Sequence, residues 1–546
     1  MLFSEREVIM DDKYIGDVRL DFSAYKAEDN YSDGDIEEEL LQAVRNGNGD
    51  WLLHNDNRWP VLYHLSQERE NLLSWIPLKG KSVLEIGSGC GGVTGALLSQ
   101  AGSVECVELS PRRAEIAAWR HKDAAGFTIH VGNLNDMDSV LEGRFDYVTL
   151  IGVLEYAASF THTAKPYHDF IRHCSRFLKP GGSLIIAIEN RLGLKYIAGA
   201  YEDHTGRIFD GLRGYPSING VRTFSHKELY NLLAESGFSG QEWYYPYPDY
   251  KFAYEIFSDE YLSHESQLDL PAYAAYDRNR LMFFDESEFV NALSDTKMYK
   301  EFSNSFLVFA NLAGKIDISS YPRRVHFPRN RAPKYRLSTE IYADRVLKKA
   351  QSRVSCQHIS RILENEMKMV EQYGRQHVAK SWRIDDYTMA TEYVQGDSFN
   401  ELCQRAWHES GKEGLDGYLD FFSRYILRGG TDGKIDIGGA GRCYNIDLNF
   451  DNILVNEGNF VFIDYEWLSG GVTPEFVLWR SLALFYYHLH TSMKDMLADV
   501  DLCSRFGITD DMIKGFKAKE AEFLSEVFDP YMQKYAKEVR LVNIAL

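Results

Sequence analysis

The sequence predicts an α/β chain in two parts: a parallel sheet wrapped by helices, then an α+β part in which strands come first and helices follow. Three observations predict it. From Lys81 to about residue 190, short apolar runs alternate with helical stretches, the pattern of βαβ units. A Pro- and Arg-rich stretch, SSYPRRVHFPRNRAPKYR (Ser319–Arg336), then breaks the composition. The chain has 546 residues, more than one ordinary core accommodates.

In chain order, the first ~60 residues hold the acidic segment DGDIEEELL and the amphipathic PVLYHLSQERENLLSWI, which predicts a helix over the first strand. SVLEIG, VECVEL, TIHVG, FDYVTLIGVL and SLIIAIEN read as strands. PYHDFIRHCSRFL puts Phe170, Ile171, Cys174, Phe177 and Leu178 on one helical face, and LKPGG ends that helix. The irregular RLGLKYIAGAYEDHTGRIFDGLRGYP follows, before VRTFSHKELYNLLAESGF resumes a helix. EWYYPYPDYKF (Glu242–Phe252) offers either aromatic packing in a hairpin or faces for sugar rings, with packing the commoner use. The second part reads strand (RLSTEIY), strand (RVLKKA), helix (ISRILENEMKMVEQY), strand (YTMATEYV), then mainly helix.

Composition narrows the class. Hydrophobic content of 45% and charged content of 26% describe a soluble globular chain. A net charge of −20 argues against a nucleic-acid binder. No apolar run reaches the ~18 residues of a membrane span, and MLFSEREVIMDDKY lacks the features of a signal peptide, so a cytoplasmic location is expected. The seven cysteines include no C-x-x-C pair, which disfavours structural zinc and a disulfide framework.

VLEIGSGCGGVTGALL places Gly87, Gly89, Gly91 and Gly92 between a strand and a helix, where glycine permits a tight turn and close approach of a ligand. The string matches G-x-G-x-x-G, so a dinucleotide site has to be weighed. Against it, Glu85 stands on the strand where an apolar residue is usual, suited to a cationic amine, and Glu108 closes the second strand, suited to ribose hydroxyls. With Gly132 and Asn133 of HVGNLND, FDYVTLIGVLEY and LKPGG, this segment resembles the class I S-adenosylmethionine-dependent methyltransferases, over roughly residues 50–312. The resemblance implies a Rossmann-like domain in which Glu85 and the glycines meet the methionine moiety, Glu108 the ribose and Asn133 the adenine. Many relatives carry Asp at this last position. For the acceptor, Glu155 and Tyr156 follow the fourth strand, and Arg191, Lys195, His204 and Arg207 follow the fifth, suited to clamping an anion. The competing readings are a strand cap for the first pair and solvated surface charge for the four basic residues.

In YNIDLNFDNILVNEGNFVFIDYEW (Tyr444–Trp467), Asp447 is followed five residues later by Asn452, then by an apolar strand and Asp464, the spacing of a kinase catalytic loop and its metal-binding Asp. Phosphoryl transfer needs a carboxylate to accept the hydroxyl proton and oxygen ligands for magnesium. These roles fall to Asp447 as base, and to Asn452 and Asp464 as metal ligands. Upstream, Lys348 (or Lys349, on the opposite face) is the phosphate clamp, Glu366 (or Glu364) its ion-pair partner, and Glu392 and Tyr393 the hinge that meets adenine. The segment resembles the aminoglycoside-phosphotransferase and lipopolysaccharide-kinase branch of the kinase-like fold, over about residues 322–490. IDYEW in place of DFG and the short helical C-terminal half carry this resemblance, and the departures from that branch are Asn445 where His is usual and no Gly-rich loop.

The expected organisation is an N-terminal extension (1–49), a methyltransferase domain (50–312), a linker with the start of the kinase N-lobe (313–335) and a two-lobed protein-kinase-like domain (336–546). This order is similar to that of the O-antigen polymannose chain-terminating kinase-methyltransferases. The resemblance implies S-adenosylmethionine, ATP and Mg2+ as cofactors, and a glycan or glycolipid-linked polysaccharide as substrate. It also implies polysaccharide-synthesis enzymes as partners, at the inner face of the membrane. The activity it implies is phosphorylation of the terminal sugar followed by methylation of the phosphate. The alternative is a sugar or small-molecule O-methyltransferase with a non-catalytic kinase-like module.

Overall fold

The computed structural model describes residues 12–27, 32–216, 220–264, 268, 270–427, 443–456, 458–488 and 502–542. The chain divides into two compact units, one of Met1–His326 with Pro530–Leu546, the other of Phe327–Asp529.

The first unit carries strands β1 (Lys13–Ile15), β2 (Val18–Asp21), β3 (Ser82–Ile86), β4 (Ser103–Glu108), β5 (Thr128–Val131), β6 (Phe145–Ile151), β7 (Leu178–Glu189), β8 (Gly240–Tyr247), β9 (Glu255–Ser258), β10 (Arg280–Met282), β11 (Ser305–Asn311) and β12 (Arg324–His326). Its main sheet runs β1-β2-β5-β4-β3-β6-β7-β11-β8-β9-β12. From β2 to β7 all neighbours are parallel, whereas β11 is antiparallel to both β7 and β8. Strand order reverses between β3 and β6, and in sheets of this kind ligands bind beyond the carboxyl ends at such a point.

The strands form where the sequence is apolar on both faces. Leu184–Ile188 of β7 and Phe306–Ala310 of β11 are all buried, as a sheet covered on two sides requires. Pro111–Arg120 begins with Ser110 capping Arg113 N–H and Pro at the first position. His226–Glu235 starts with a capping box between Ser225 and Glu228. Pro166–Ser175 buries Phe170, Ile171 and Cys174 as expected, but Phe177 and Leu178 lie beyond its end and LKPGG belongs to β7. The helix expected over PVLYHLSQERENLLSWI is interrupted at Ser66, whose extended backbone and hydroxyl cap a separate turn, Gln67–Leu72. The aromatic cluster serves packing: Trp243, Tyr244, Tyr245 and Tyr247 are buried on β8.

The domain limits differ from the sequence expectation at both ends. Residues 13–21 extend the sheet beside β5, so they are part of the unit. At the other end, Tyr531 hydrogen-bonds Ser66, Tyr535 Oη donates to Leu53 O at 2.7 Å, and Val539–Leu541 pairs in parallel with β10. These contacts return the C-terminal segment to the first unit.

The second unit opens with an antiparallel sheet of β13 (Leu337–Ile341), β14 (Arg345–Ala350), β15 (Ser381–Arg383) and β16 (Thr388–Glu392), in the order β13-β14-β16-β15. Strand β15 has no counterpart in the sequence reading. Helix Cys356–Tyr373 packs on this sheet. Helices Phe399–Phe421, Pro474–His488 and Asp510–Val527 follow, with the hairpin Ile453–Asn456 and Asn459–Phe462 between the first two. The core of this unit joins Ile362 and Met369 to Phe450, Ile453, Phe462 and Leu478.

Candidate functional site

The glycine turn leaves β3 at the point of reversal. Gly87 has φ +73°, and a Cβ there would meet Val153 Cγ2 at 2.8 Å. Gly89 has φ +55° with open space where a side chain would lie. Both conformations favour glycine. Glu108 ends β4 and braces the turn, one carboxylate oxygen accepting Gly89 N–H at 2.7 Å and the other Ser110 N–H at 2.9 Å. Asn133 follows β5 and accepts Asn135 N–H at 3.0 Å. Glu85, Gly87, Gly89, Glu108 and Asn133 all line one cleft of about 460 Å3. Gly91 is not on its wall: a Cβ there would meet Ala117 and His121 at 3.1 Å, so its place is in turn packing.

Glu85 accepts hydrogen bonds from Thr94 Oγ1 at 2.7 Å and Cys106 Sγ at 3.3 Å. Burial pushes its carboxyl pKa up, against those two bonds.

The acceptor side differs from the expected anion clamp. Glu155, Tyr156 and His204 line the cleft. Arg191 is engaged with Glu228 at 2.7 Å, and Arg207 is exposed and off the cleft wall. Lys195 is buried between Asp203 and Asp249, each at 3.0 Å, and does not line the cleft. These side chains are neutralised by local carboxylates or stand apart from the cleft, so they do not converge. The wall instead brings together Glu155, Glu189, Asp203, His204 and Lys251. Lys251 pairs with Glu189 and, at 3.2 Å, with Asp203. His204 Nδ1 lies 3.0 Å from Glu202 and Nε2 3.6 Å from Glu155. Burial opposes a charged His204 ring, but the carboxylates of Glu155 and Glu202 outweigh it and hold its pKa well above the ordinary value.

Glu189 and Lys251 were missed by sequence reasoning. The available signals were a carboxylate at the end of an otherwise apolar strand, in IIAIEN, and the charged pair in PDYKF.

In the second unit, Lys348 Nζ lies 2.8 Å from Asp464 and 3.5 Å from Glu466. Burial opposes the ammonium charge, and these two carboxylates outweigh it and raise the pKa. Lys349, on the opposite face of β14, pairs with Glu340 at 2.7 Å. The expected Lys348–Glu366 pair does not form. Glu366 accepts from Arg375 at 2.6 Å and from Ser381 N–H at 3.3 Å, because its helical position turns it toward β15. His358, two turns earlier on the same helix, reaches Glu466 at 2.6 Å instead, and Glu364 is exposed. Asn452 Nδ2 donates to Asp447 O at 2.9 Å, and Asn445 Nδ2 donates to Asp464 O at 2.7 Å, so Asn445 ties the two segments together. Asp447 accepts from Arg480 at 2.7 Å. At the expected hinge, Glu392 N–H donates to Lys380 O at 2.9 Å and Tyr393 N–H to Asp344 O at 3.4 Å. Those two donors are therefore engaged within the unit.

Strand order, glycine turn and cleft define the first unit as a class I, Rossmann-like methyltransferase domain. Residues 84–184 match the family described as Methyltransferase domain. The ubiquinone biosynthesis O-methyltransferase of Xanthomonas oryzae pv. oryzae is 28% identical over 133 residues, 22% of this chain and 53% of that protein. That of Thiobacillus denitrificans is 27% identical over 130 residues, 23% of this chain and 53% of that protein. The chain thus spans about half the length of these curated relatives. A solved SAM dependent methyltransferase from Archaeoglobus fulgidus aligns at 12% identity with a TM-score of 0.27, covering 50% of this chain and 98% of that one. No helix among the described residues is long and apolar enough to cross a membrane.

Proposed function

We propose that the first unit transfers a methyl group from S-adenosylmethionine to an oxygen of a glycan-type or other small acceptor. The observation that carries this reading is the cleft at the strand-order reversal, floored by Gly87 and Gly89 and closed by Glu108. These residues fit the cofactor: the turn at Gly89 has room for close approach, and Glu108 offers a carboxylate to ribose hydroxyls. When bound, S-adenosylmethionine supplies an electrophilic methyl group on a sulfonium. A hydroxyl acceptor is favoured over an anion because Glu155 and Glu189 face the cleft, while Lys251 is already tied to carboxylates. A buried carboxylate can accept the hydroxyl proton, whereas it repels a phosphate. Calorimetric titration with S-adenosylmethionine tests the assignment, and absence of binding to the folded chain defeats it.

A second reading is favoured by the Lys348–Asp464 contact. In it the second unit is an ATP-dependent phosphotransferase that phosphorylates the terminal sugar of a cell-surface polysaccharide, and the resulting phosphate is the methyl acceptor. Asp464 and Asn452 would hold Mg2+, Lys348 the nucleotide phosphates, and Asp447 the proton of the attacking hydroxyl. The donor set suits such an ion, since Asn452 donates through its amide nitrogen and so presents its oxygen. Supplying labelled S-adenosylmethionine with an unphosphorylated glycan, with and without ATP, separates the two. Transfer without ATP supports the hydroxyl acceptor; transfer that requires ATP supports the phosphate.

A further inference from the structure

We propose that Glu155, Glu189 and His204 form a divalent-cation site on the cleft wall, of the class typified by Mn2+ and Mg2+, where the cation holds the oxygen of the methyl acceptor. The three residues come from separate segments: the turn after β6, the end of β7 and the irregular stretch beyond it. One ligand atom from each lies within 4.8 Å of the others, close enough for small side-chain rotations to close on a single ion.

A second, independent observation points the same way. Glu155 and Glu189 are 1% and 0% exposed, and the Oε2 atom of each has no hydrogen-bond partner. A buried carboxylate oxygen left unmatched is costly and calls for an explanation. Both residues line the cleft, so the unmatched oxygens are near space that a ligand can enter. His204 is oriented by Glu202 through Nδ1, and its Nε2 stands 3.6 Å from Glu155, beyond good hydrogen-bond length. A carboxylate holding one ring nitrogen while the other faces further oxygen ligands is the usual support of a metal-binding histidine.

Charge supports a cation over a second hydrogen-bond donor. In this wall and directly behind it, the five carboxylates of Glu155, Glu189, Glu202, Asp203 and Asp249 outnumber the three cations they contact, Lys195, Lys251 and the His204 imidazolium, whose proton leaves when the ring ligates an ion. A dication corrects that imbalance. Two carboxylates and one imidazole, without thiolate, suit Mn2+ or Mg2+ better than a thiophilic ion.

The site's place in catalysis rests on the methyltransferase reading above. On coordination the acceptor hydroxyl becomes more acidic and releases its proton to water, Glu155 and Glu189 then serving as ligands in place of the base that an ion-free cleft needs. An oxygen lone pair then forms the O–CH3 bond as the S–CH3 bond breaks, and that electron pair returns to sulfur. The products are the methyl ether and neutral S-adenosylhomocysteine.

The test uses the full chain stripped with chelator and titrated with Mn2+ alone, followed by electron paramagnetic resonance of the free ion. Because the second unit holds candidate ligands of its own, Asp464→Asn is the background. One Mn2+ per chain is expected there, with affinity falling at least tenfold in Glu155→Gln and in Glu189→Gln. Retained S-adenosylmethionine affinity shows that each variant is folded. The unfolding midpoint gives a second reading: Mn2+ should raise that of the Asp464→Asn chain by more than it raises that of the same chain carrying Glu189→Gln. No Mn2+ uptake in the background chain, or uptake that both glutamine variants leave unchanged, overturns the site. Mn2+ uptake with no S-adenosylmethionine binding instead defeats the methyltransferase reading and leaves the cation site standing.

Discussion

Glu108 accepts the backbone N–H of Gly89 at 2.7 Å, tying the end of β4 to the turn that follows β3. The same carboxylate faces the cleft, so one side chain shapes the turn and presents charge to a ligand. Glu108→Ala should weaken S-adenosylmethionine binding by about 10- to 100-fold, since a charge-assisted hydrogen bond is worth about 1.5–3 kcal/mol. Calorimetry measures it. An unchanged affinity would place Glu108 outside the cofactor site.

Gly87→Ala tests the turn itself. The φ of +73° and the 2.8 Å approach to Val153 Cγ2 leave little room for a methyl group. The variant should lose about 1–3 kcal/mol of stability, with weaker cofactor binding in the same protein. Urea unfolding measures the first, and a midpoint equal to that of the unsubstituted chain would show the turn to be more adaptable than its geometry implies.

On the proposed phosphotransferase reading of the second unit, Asp447→Ala should lower phosphoryl transfer to a candidate glycan by about 10²–10⁴-fold, the usual contribution of a positioned base. S-adenosylmethionine affinity should be unchanged, because sites with no shared partners respond independently. Assaying both on one preparation checks this. Full retention of phosphoryl transfer would remove Asp447 from the reaction.

Glu70 gives a pH dependence. Burial raises its pKa from 4.5 to about 7, with Arg120 opposing the shift. A carboxyl raised in the folded state costs nothing below about pH 4.5, where it is protonated whether folded or not. As pH rises from there to about 7 the unfolded state ionises first, so stability falls, by about 3 kcal/mol once both states are ionised. Glu70→Gln should remove that loss. Unfolding free energies of the two proteins at pH 4.5 and pH 8 measure the difference, and parallel curves would show that Glu70 does not titrate this way.

The order of elements in the first unit was legible because its strands are short, strongly apolar and separated by glycine or proline signals. Residues 81–190 could therefore be read as alternating strands and helices, and the glycine turn placed on the cleft without coordinates. The failures have local causes. Ser66 splits an amphipathic segment because its hydroxyl satisfies the backbone of a new turn, which periodicity does not record. Glu366 fits the lysine's ion-pair partner by its place on the helix after the lysine strand, but its side chain meets Arg375 and Ser381, and Lys348 meets Asp464 and Glu466.

The sequence by itself determined the alternation of strands and helices, the glycine turn after β3, and which apolar runs would be buried, because these follow from local conformational preference and hydrophobic period. Only the tertiary structure decided which charges meet. Glu155 and His204 lie 49 positions apart, yet Glu155 comes within 3.6 Å of His204. Two of the cations expected to clamp an acceptor, Lys195 and Arg191, are instead held by Asp203, Asp249 and Glu228. Electrostatic partners are fixed by distance and burial in space, and neither quantity is written in the spacing of residues along a chain.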